Sequence, residues 1–555
     1  MTFAPQQDER IGTINRVIGR NIVHGIYNDG DHTYITVQQE CRNALPLSST
    51  ATTLIVPLCN PNVDFVQFNK SFITLRFDLT FALTGYQAKS SSDDTEGLPA
   101  WFDTFIGLKH ATDIIGEYAV YHKGKQVSGT LQSNATVESF LYHTSRPSND
   151  LENRKDSHSI ADKVSERDFT SRCGKYISLD RFQAAMATNA SKTITVEFQL
   201  VIPFNDILIF QQFKSYPNAL FGDLELRFKL NPNAFVTLTC DPEKSIRASA
   251  IQTGATLLDS CAKTMQALSK NITRDYTQVG DTYQTILHAK GGTSLALDTG
   301  AVSIKPTTIN IHEVYATICG YRARPDHLES MRAKYANQPW VMFSQNINYL
   351  PFSSKPNGAA GLNMTQQVYL NNTTDLILLF PTTANEAGGT VSKNPMLQDL
   401  SLQVLNRRYP ETGLNTTDGQ FVHLMLYSFV ANHVEPLKEY VSSLSAARWN
   451  LSNSYIHESD TTSFICSIHV ERPSAIGLIC DGLDSKGAQV PIRLTATPSA
   501  YSAEHDQYCG QSASVPPPVL VTVNDSYFIF NARDGGQCIY SNRPFNEMVH
   551  AFMGY

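Results

Sequence analysis

The dominant pattern along the chain is a two-residue alternation of apolar and polar side chains, the period of a strand that buries one face. In SFITLRFDLTFAL, Ile73, Leu75, Phe77, Leu79, Phe81 and Leu83 share one face, while Thr74, Arg76, Asp78 and Thr80 share the other. TITVEFQL repeats the pattern with Ile194, Val196, Phe198 and Leu200. DLELRFKL does so with Leu224, Leu226, Phe228 and Leu230 set against Glu225, Arg227 and Lys229. The second half has the same texture in TINIHEVYATICGYR, WVMFSQNINYL, DLILLF, LSLQVLN, FVHLMLYSFV, SFICSIHV, VPIRLTATP and PVLVTVNDSYFIFN. Between Ile311 and Val314 the alternation slips phase, which predicts a β-bulge. Strands grouped in this way, without a βαβ rhythm, predict an all-β protein of sandwiches or barrels with antiparallel sheets.

Helical patterns are few. Residues 256 to 269 place Leu257, Cys261, Met265 and Leu268 on one stripe and serve as the expected link between two halves. Residues 436 to 448 carry Leu437, Tyr440, Val441 and Leu444 behind Pro436, and Asp326 to Tyr335 form a third candidate, capped by Asp326. A run of strands closes at Cys240 and a fresh run opens near Tyr276, so the expected division is an N-terminal arm over 1–44, a first unit over 45–240, a linker over 241–275 and a second unit over 276–555. The arm carries Arg10, Arg16 and Arg20 among Ile14, Val17, Ile18 and Ile22, apolar positions that call for burial. Two polar stretches, 88–98 and 147–168, read as long solvent-facing loops.

At 555 residues the chain holds more than one core. Charged residues make up only 17% and hydrophobic ones 42%, which excludes disorder. The net charge of −7, without a Lys/Arg block, argues against strong direct nucleic-acid binding. No apolar run is long enough for a membrane span, and the opening MTFAPQQDERIG lacks a signal-peptide pattern, so neither membrane insertion nor secretion is expected. The 10 cysteines show no CxxC spacing and are expected to stay reduced. Sequons such as Asn134-Ala-Thr136 are then expected to go unused.

Motifs for chemistry fail one by one. Gly124-Lys125-Gln126 lacks the remainder of a phosphate loop, and Gly482 to Gly487 around Ser485 has the wrong spacing for a nucleophile elbow and reads as a hairpin turn. His312-Glu313 and His457-Glu458 have no second histidine four residues beyond the first. Asn28 to His32 resembles part of a calcium loop but lacks the distal glutamate, and a tight turn is preferred. Glu504-His505-Asp506 with Cys509 needs ligands from elsewhere, and Asp93, Asp94 and Glu96 fit a solvated loop. No catalytic, cofactor-binding or metal-ligating residue is assigned and no cofactor is expected. That favours a protein whose function is its shape.

Two regions carry a resemblance. VDFVQFNKSFITLRFDLTF followed by EYAVYHKGKQVSGTLQSNATVESFLYH, and VPIRLTATP followed by PPPVLVTVNDSYFIFNARDGG, resemble the double jelly-roll major capsid proteins of Polinton/Maverick elements, adintoviruses and virophages. Residues around 380 to 415 depart from that pattern. The resemblance implies two consecutive jelly-roll β-sandwiches with a few short helices in the connections. It also implies a non-enzymatic homotrimer that packs with neighbouring capsomers, penton and other minor capsid proteins into an icosahedral, virion-located shell around a DNA genome. The competing readings are a β-sandwich carbohydrate-active enzyme, which needs paired carboxylates in one cleft, and a viral spike or other interaction protein, which needs fibrous repeats or an anchor.

Overall fold

The computed structural model describes residues 33–48, 52–84, 104–108, 111–128, 131–132, 174–177, 193–210, 215–239, 302–336, 338–352, 362–380, 397–404, 406–415, 465–470, 480–498, 518–531 and 537–541, with two-residue strands at 273–274, 277–278, 282–283, 286–287, 295–296, 459–460 and 472–473. The predicted strand texture is present throughout these residues. In the first half it forms β1 (Thr33–Glu40), β2 (Leu54–Pro57), β3 (Phe72–Thr84), β4 (Ile115–His122), β5 (Lys125–Gln126), β6 (Thr193–Pro203), β7 (Leu224–Leu230) and β8 (Val302–Arg322). These eight strands make two sheets, in the orders β1-β8-β3-β6 and β2-β7-β4-β5, and a separate four-stranded sheet joins Thr277–Gln278, Val236–Thr239, Thr104–Gly107 and Gly174–Ile177. First pairs with eighth, second with seventh, third with sixth and fourth with fifth, all antiparallel. One long nested hairpin has been wound so that successive pairs fall in alternate sheets, which is a jelly roll.

The same winding recurs. Strands β9 (Trp340–Pro351), β10 (Leu362–Tyr369), β11 (Thr373–Leu379), β12 (Leu397–Val404), β13 (Arg407–Leu414), β14 (Ile465–His469), β15 (Gln489–Pro498) and β16 (Val519–Asn531) form sheets β9-β16-β11-β14 and β10-β15-β12-β13. A further strand, β17 (Gln537–Ser541), pairs with β16. The protein is therefore all-β, with two consecutive jelly-roll sandwiches. Residues 380–415, where the family pattern breaks down, supply the fourth and fifth strands of the second roll, β12 and β13.

Burial follows the alternation. Ile73, Leu75, Phe77, Leu79 and Phe81 are fully buried, lie beside Phe198 of the same sheet and share one core with Leu226 and Phe228 of the other. The outward face of β3 is a polar ladder: Arg76 lies between Glu197 and Glu313, at 2.7 and 3.0 Å, and Thr80 bonds Thr195. The predicted phase slip is a bulge in β8 between Ile311 and Glu313, which turns both His312 and Glu313 outward while Ile311 and Val314 stay in the core. A second bulge lies between Pro306 and Thr308. Where β8 crosses Phe65–Val66, Gly320 is required, because a side chain there would collide with the Phe65 carbonyl and Val63.

Three expectations need correction. Strand β8 pairs with β1 and β3 and so completes the first sandwich, whereas the division at 241–275 assigned it to the second; one sheet runs across that interval. Strand β1 is likewise a sheet strand rather than part of an arm, because it carries the other half of that pairing. The third concerns Asp326. The chain passes between the rolls at helix α1 (Pro325–Tyr335), whose N-cap is Arg324 with Pro325 at the first position, so Asp326 sits in the first turn and faces the helix dipole rather than capping it. Residues 1–25, 88–98, 147–168, 256–269, 421–430 and 436–448 lie outside the described residues.

Candidate functional site: the seam between the sandwiches

The ends of β9 and β16 do not stop at the second core. Trp340 and Met342 on β9, with Phe528 and Phe530 on β16, join the core cluster of the first roll. Their receiving surface is built by local sequence. Pro217 precedes a helical turn, Asn218–Phe221, that ends at Gly222 with φ +84°, a backbone region suited to glycine. This turn presents Tyr216 and Phe221 to the second roll. Phe221 stacks on Trp340 with ring centroids 5.3 Å apart and planes 9° apart, and Tyr335 of α1 meets Phe221 edge-on. Phe530 lies 5.2 Å from Trp340 and 5.4 Å from Tyr216. Aromatic pairs at such separations contribute about 0.5–1.5 kcal/mol each beyond area burial.

Two polar groups fix this aromatic knot. His122 is buried, meets the Phe530 ring edge-on and donates from Nε2 to the Phe221 carbonyl at 2.8 Å. Desolvation pushes its pKa below the ordinary histidine value, so it sits there as neutral imidazole. Tyr216 donates to the Gly222 carbonyl at 2.7 Å, and burial drives its phenol well above the usual range. Further along the same face of β9, Ser344 donates to the Ile209 carbonyl of the first roll at 2.9 Å.

Among the described residues, those that suggested chemistry in the sequence have structural partners. Val120 to Val127 form a hairpin whose two-residue turn, Lys123-Gly124, has φ of 49° and 78°, the backbone signature of a type I′ turn. Ser485 both donates to the Leu370 carbonyl and accepts from its amide, and Lys486 and Gly487 make a second positive-φ turn, as expected of a hairpin connection. His312 bonds Asp78 at 2.8 Å and Glu313 bonds Arg76. Cys41, Cys59, Cys319, Cys466 and Cys538 are free thiols, and burial pushes Cys59 and Cys466 up to about 12, far from a reactive thiolate. Glu225 departs from its expected wet face: it is buried between Arg42 and Arg227, and the Arg227 guanidinium lies 3.8 Å over the Tyr121 ring. Among the described residues no three His, Cys, Asp or Glu side chains gather as metal ligands do, and no helix is long and apolar enough to cross a membrane. Asn28–His32, Asp93, Asp94, Glu96, His457, Glu458, Glu504–Asp506 and Cys509 lie outside those residues. Trp340, Phe528 and Phe530 lie in segments read as strands, whereas Tyr216 and Phe221 lie in none, and alternation marks a buried face without naming what covers it.

No protein-family model matches the chain, and no curated protein matches it in sequence. Solved structures do resemble it. A structure of the Sputnik virophage is similar at 12% identity, covering 92% of this chain and 88% of that one, with a TM-score of 0.45. The mavirus major capsid protein is similar at 11% identity, 92% and 90% coverage and a TM-score of 0.42. The Faustovirus major capsid protein follows at 7% identity, 94% and 98% coverage and 0.40.

Proposed function

We propose that this chain is the major capsid protein of an icosahedral virus, a structural and non-enzymatic role. The observation that carries the reading is the repetition of one eight-strand winding in two consecutive sandwiches locked together by a shared aromatic seam. A rigid pair of similar blocks gives each subunit two comparable wall elements, so three subunits present six around one axis. On this reading the chain trimerises into pseudohexameric capsomers, which tile with one another and with penton and other minor proteins around a DNA genome. The sequence resemblance of VYHKGKQV and of the closing strand PVLVTVNDSYFIFN points the same way, and the virus capsid proteins similar in fold are consistent with it.

The test is to express the full chain and measure its mass by analytical ultracentrifugation alongside negative-stain microscopy. The expected result is a species of three chains with a hexagonal outline, or closed shells. A featureless monomer at all concentrations and salt conditions overturns the proposal.

A further inference from the structure

The two rolls differ on the outer face of their corresponding sheets. In the first roll that face is the exposed polar ladder around Arg76. In the second it is apolar: Ile377 and Leu379 on β11, Val519, Val521 and Val523 on β16 and Ile347 on β9 form one buried cluster. Ile377 and Val521 are fully buried, yet among the described residues this cluster holds only side chains of the sheet's own strands, with no layer above them. An antiparallel strand buried on both faces needs a cover on each. The cover also has a boundary. Outward residues along β17 and β16 pass from Ile539, 55% exposed, and half-buried Ile529 to Tyr527, 5% exposed, and on to buried Val523 and Val521. The outer layer therefore starts at the level of Tyr527.

That level is where β17 ends. Strand β9 pairs with β16 from Val519 to Phe530, so β11 and β17 share the other edge of β16 in succession. Ser541 lies opposite Tyr527, and the Asn372 carbonyl just ahead of β11 already accepts from the Asp525 amide. A chain that continues past Ser541 toward Val519 meets Asn372 and has to leave the sheet plane. The inner face at this level is taken by the first roll, because Ser344, opposite Ser526, bonds the Ile209 carbonyl. Only the outer face is left. Residues 542–555, NRPFNEMVHAFMGY, place Phe545, Met548, Val549, Phe552 and Met553 at the i, i+3, i+4, i+7, i+8 spacing of an apolar helical stripe, with Asn546, Glu547 and His550 off it. Arg543-Pro544 repeats the Arg324-Pro325 start of α1, and Gly554 suits a helix stop. We propose that residues 544–553 form a helix lying on the outer face of β16 and β11, over Val519, Val521, Val523, Ile377 and Leu379. Such a helix is about 15 Å long, and β16 runs about 13 Å from Val519 to Val523. The lengths match. A helix in this place closes one chain upon itself, with or without assembly of chains into a shell.

The test is photo-crosslinking of the full chain carrying Phe552→p-benzoylphenylalanine, with the adducts mapped by mass spectrometry. Adducts are expected within one chain, on the strands that carry Ile377 and Leu379 or Val519 to Val523. Adducts confined to other segments, or formed only between two chains, overturn the proposal and leave the face to the 1–25 arm, the connection between β13 and β14, or a second copy. A second readout uses the chain ending after Asn546, which keeps every described strand. Its fluorescence with a dye that brightens on apolar surfaces is expected to rise severalfold over wild type at unchanged far-ultraviolet circular dichroism, and an excess of a peptide of residues 542–555 is expected to reverse the rise. Dye fluorescence equal to that of wild type overturns the proposal. Because the crosslink is read on the full chain, it decides the matter even where the shortened chain fails to fold.

Discussion

Replacing Trp340 by alanine is expected to uncouple the two sandwiches. Trp340 is 8% exposed, stacks on Phe221 and packs against Tyr216 and Phe530, so one side chain from the second roll contacts two aromatic rings of the first. Truncating a buried tryptophan costs about 3–5 kcal/mol. The upper part of that range applies here, because three rings lose a partner at once and the flat Phe221 face cannot collapse onto an alanine methyl. A loss of about 4 kcal/mol is nearly a thousandfold in an equilibrium constant, and it removes a large share of the ~5–15 kcal/mol that holds a domain folded. Much of the loss falls on the contact between the rolls. Urea unfolding followed by near-ultraviolet circular dichroism, on the full chain under reducing conditions, is the assay. Wild type is expected to unfold with the rolls coupled, and Trp340→Ala to separate into two transitions with the first midpoint clearly lowered. Trp340→Phe, which keeps the stack, is expected to lie between. An alanine variant with the wild-type midpoint and an unchanged single transition would show that the seam does not couple the rolls.

Further outcomes follow from other parts of the structure. Ending the chain at Ala513 removes β16, the central partner of β9 and β11, and uncovers Ile347, Ile377 and Leu379, which pack against it and are each worth about 1.5–3 kcal/mol when buried; the product is expected to be insoluble, as judged by soluble yield and gel filtration, and recovery of well-folded chain contradicts the strand's role. A chain ending after Asn546 keeps β17 and is expected to remain soluble. His122 is held below its unfolded value of 6.5, so the unfolded chain binds more protons as pH falls through 6.5; stability is full above that value and declines below it toward the depressed folded pKa. Urea midpoints measured from about pH 7 to about pH 5 are expected to fall less steeply in His122→Gln than in wild type. Gly320→Ala forces β8 away from Phe65 and is expected to lower the melting temperature by several degrees, whereas Gly487→Ala, whose cost is confined to a positive-φ turn with open space around it, is expected to lower it less.

What was legible in the sequence was whatever depends on nearest neighbours. Strands β3, β6, β7 and β16, the inward sets on the first three, the bulge at Ile311 to Glu313 and the Lys486-Gly487 turn all follow from side chains a few positions apart. Membership of a sheet does not. TINIHEVYATICGYR alternates in the same way whether it closes the first roll or opens the second, and only its pairing with Thr33–Glu40 decides the matter. A signal for the true passage was present in Pro325, which suits a first helical turn, and in Trp340 just beyond it. Burial of Glu225 escaped notice because its stabilising cations, Arg42 and Arg227, come from a distant segment and from its own strand two residues on. The seam itself, with Tyr216, Phe221, Trp340 and Phe530 drawn from both halves, needed the fold to be seen.

The pairing of first strand with last sets an order of events during synthesis. Tyr34 finds its partner in Tyr321, 321 − 34 = 287 positions later. At about 5–20 residues per second the ribosome takes roughly 15–60 s to cover that distance. Throughout that interval β1 has no ladder and one edge of β3 stays open, a state in which strand edges are prone to pair with the wrong chain. Almost as soon as β8 closes the first roll, α1 and Trp340 emerge, and the finished surface around Tyr216 and Phe221 becomes the template on which the second roll starts.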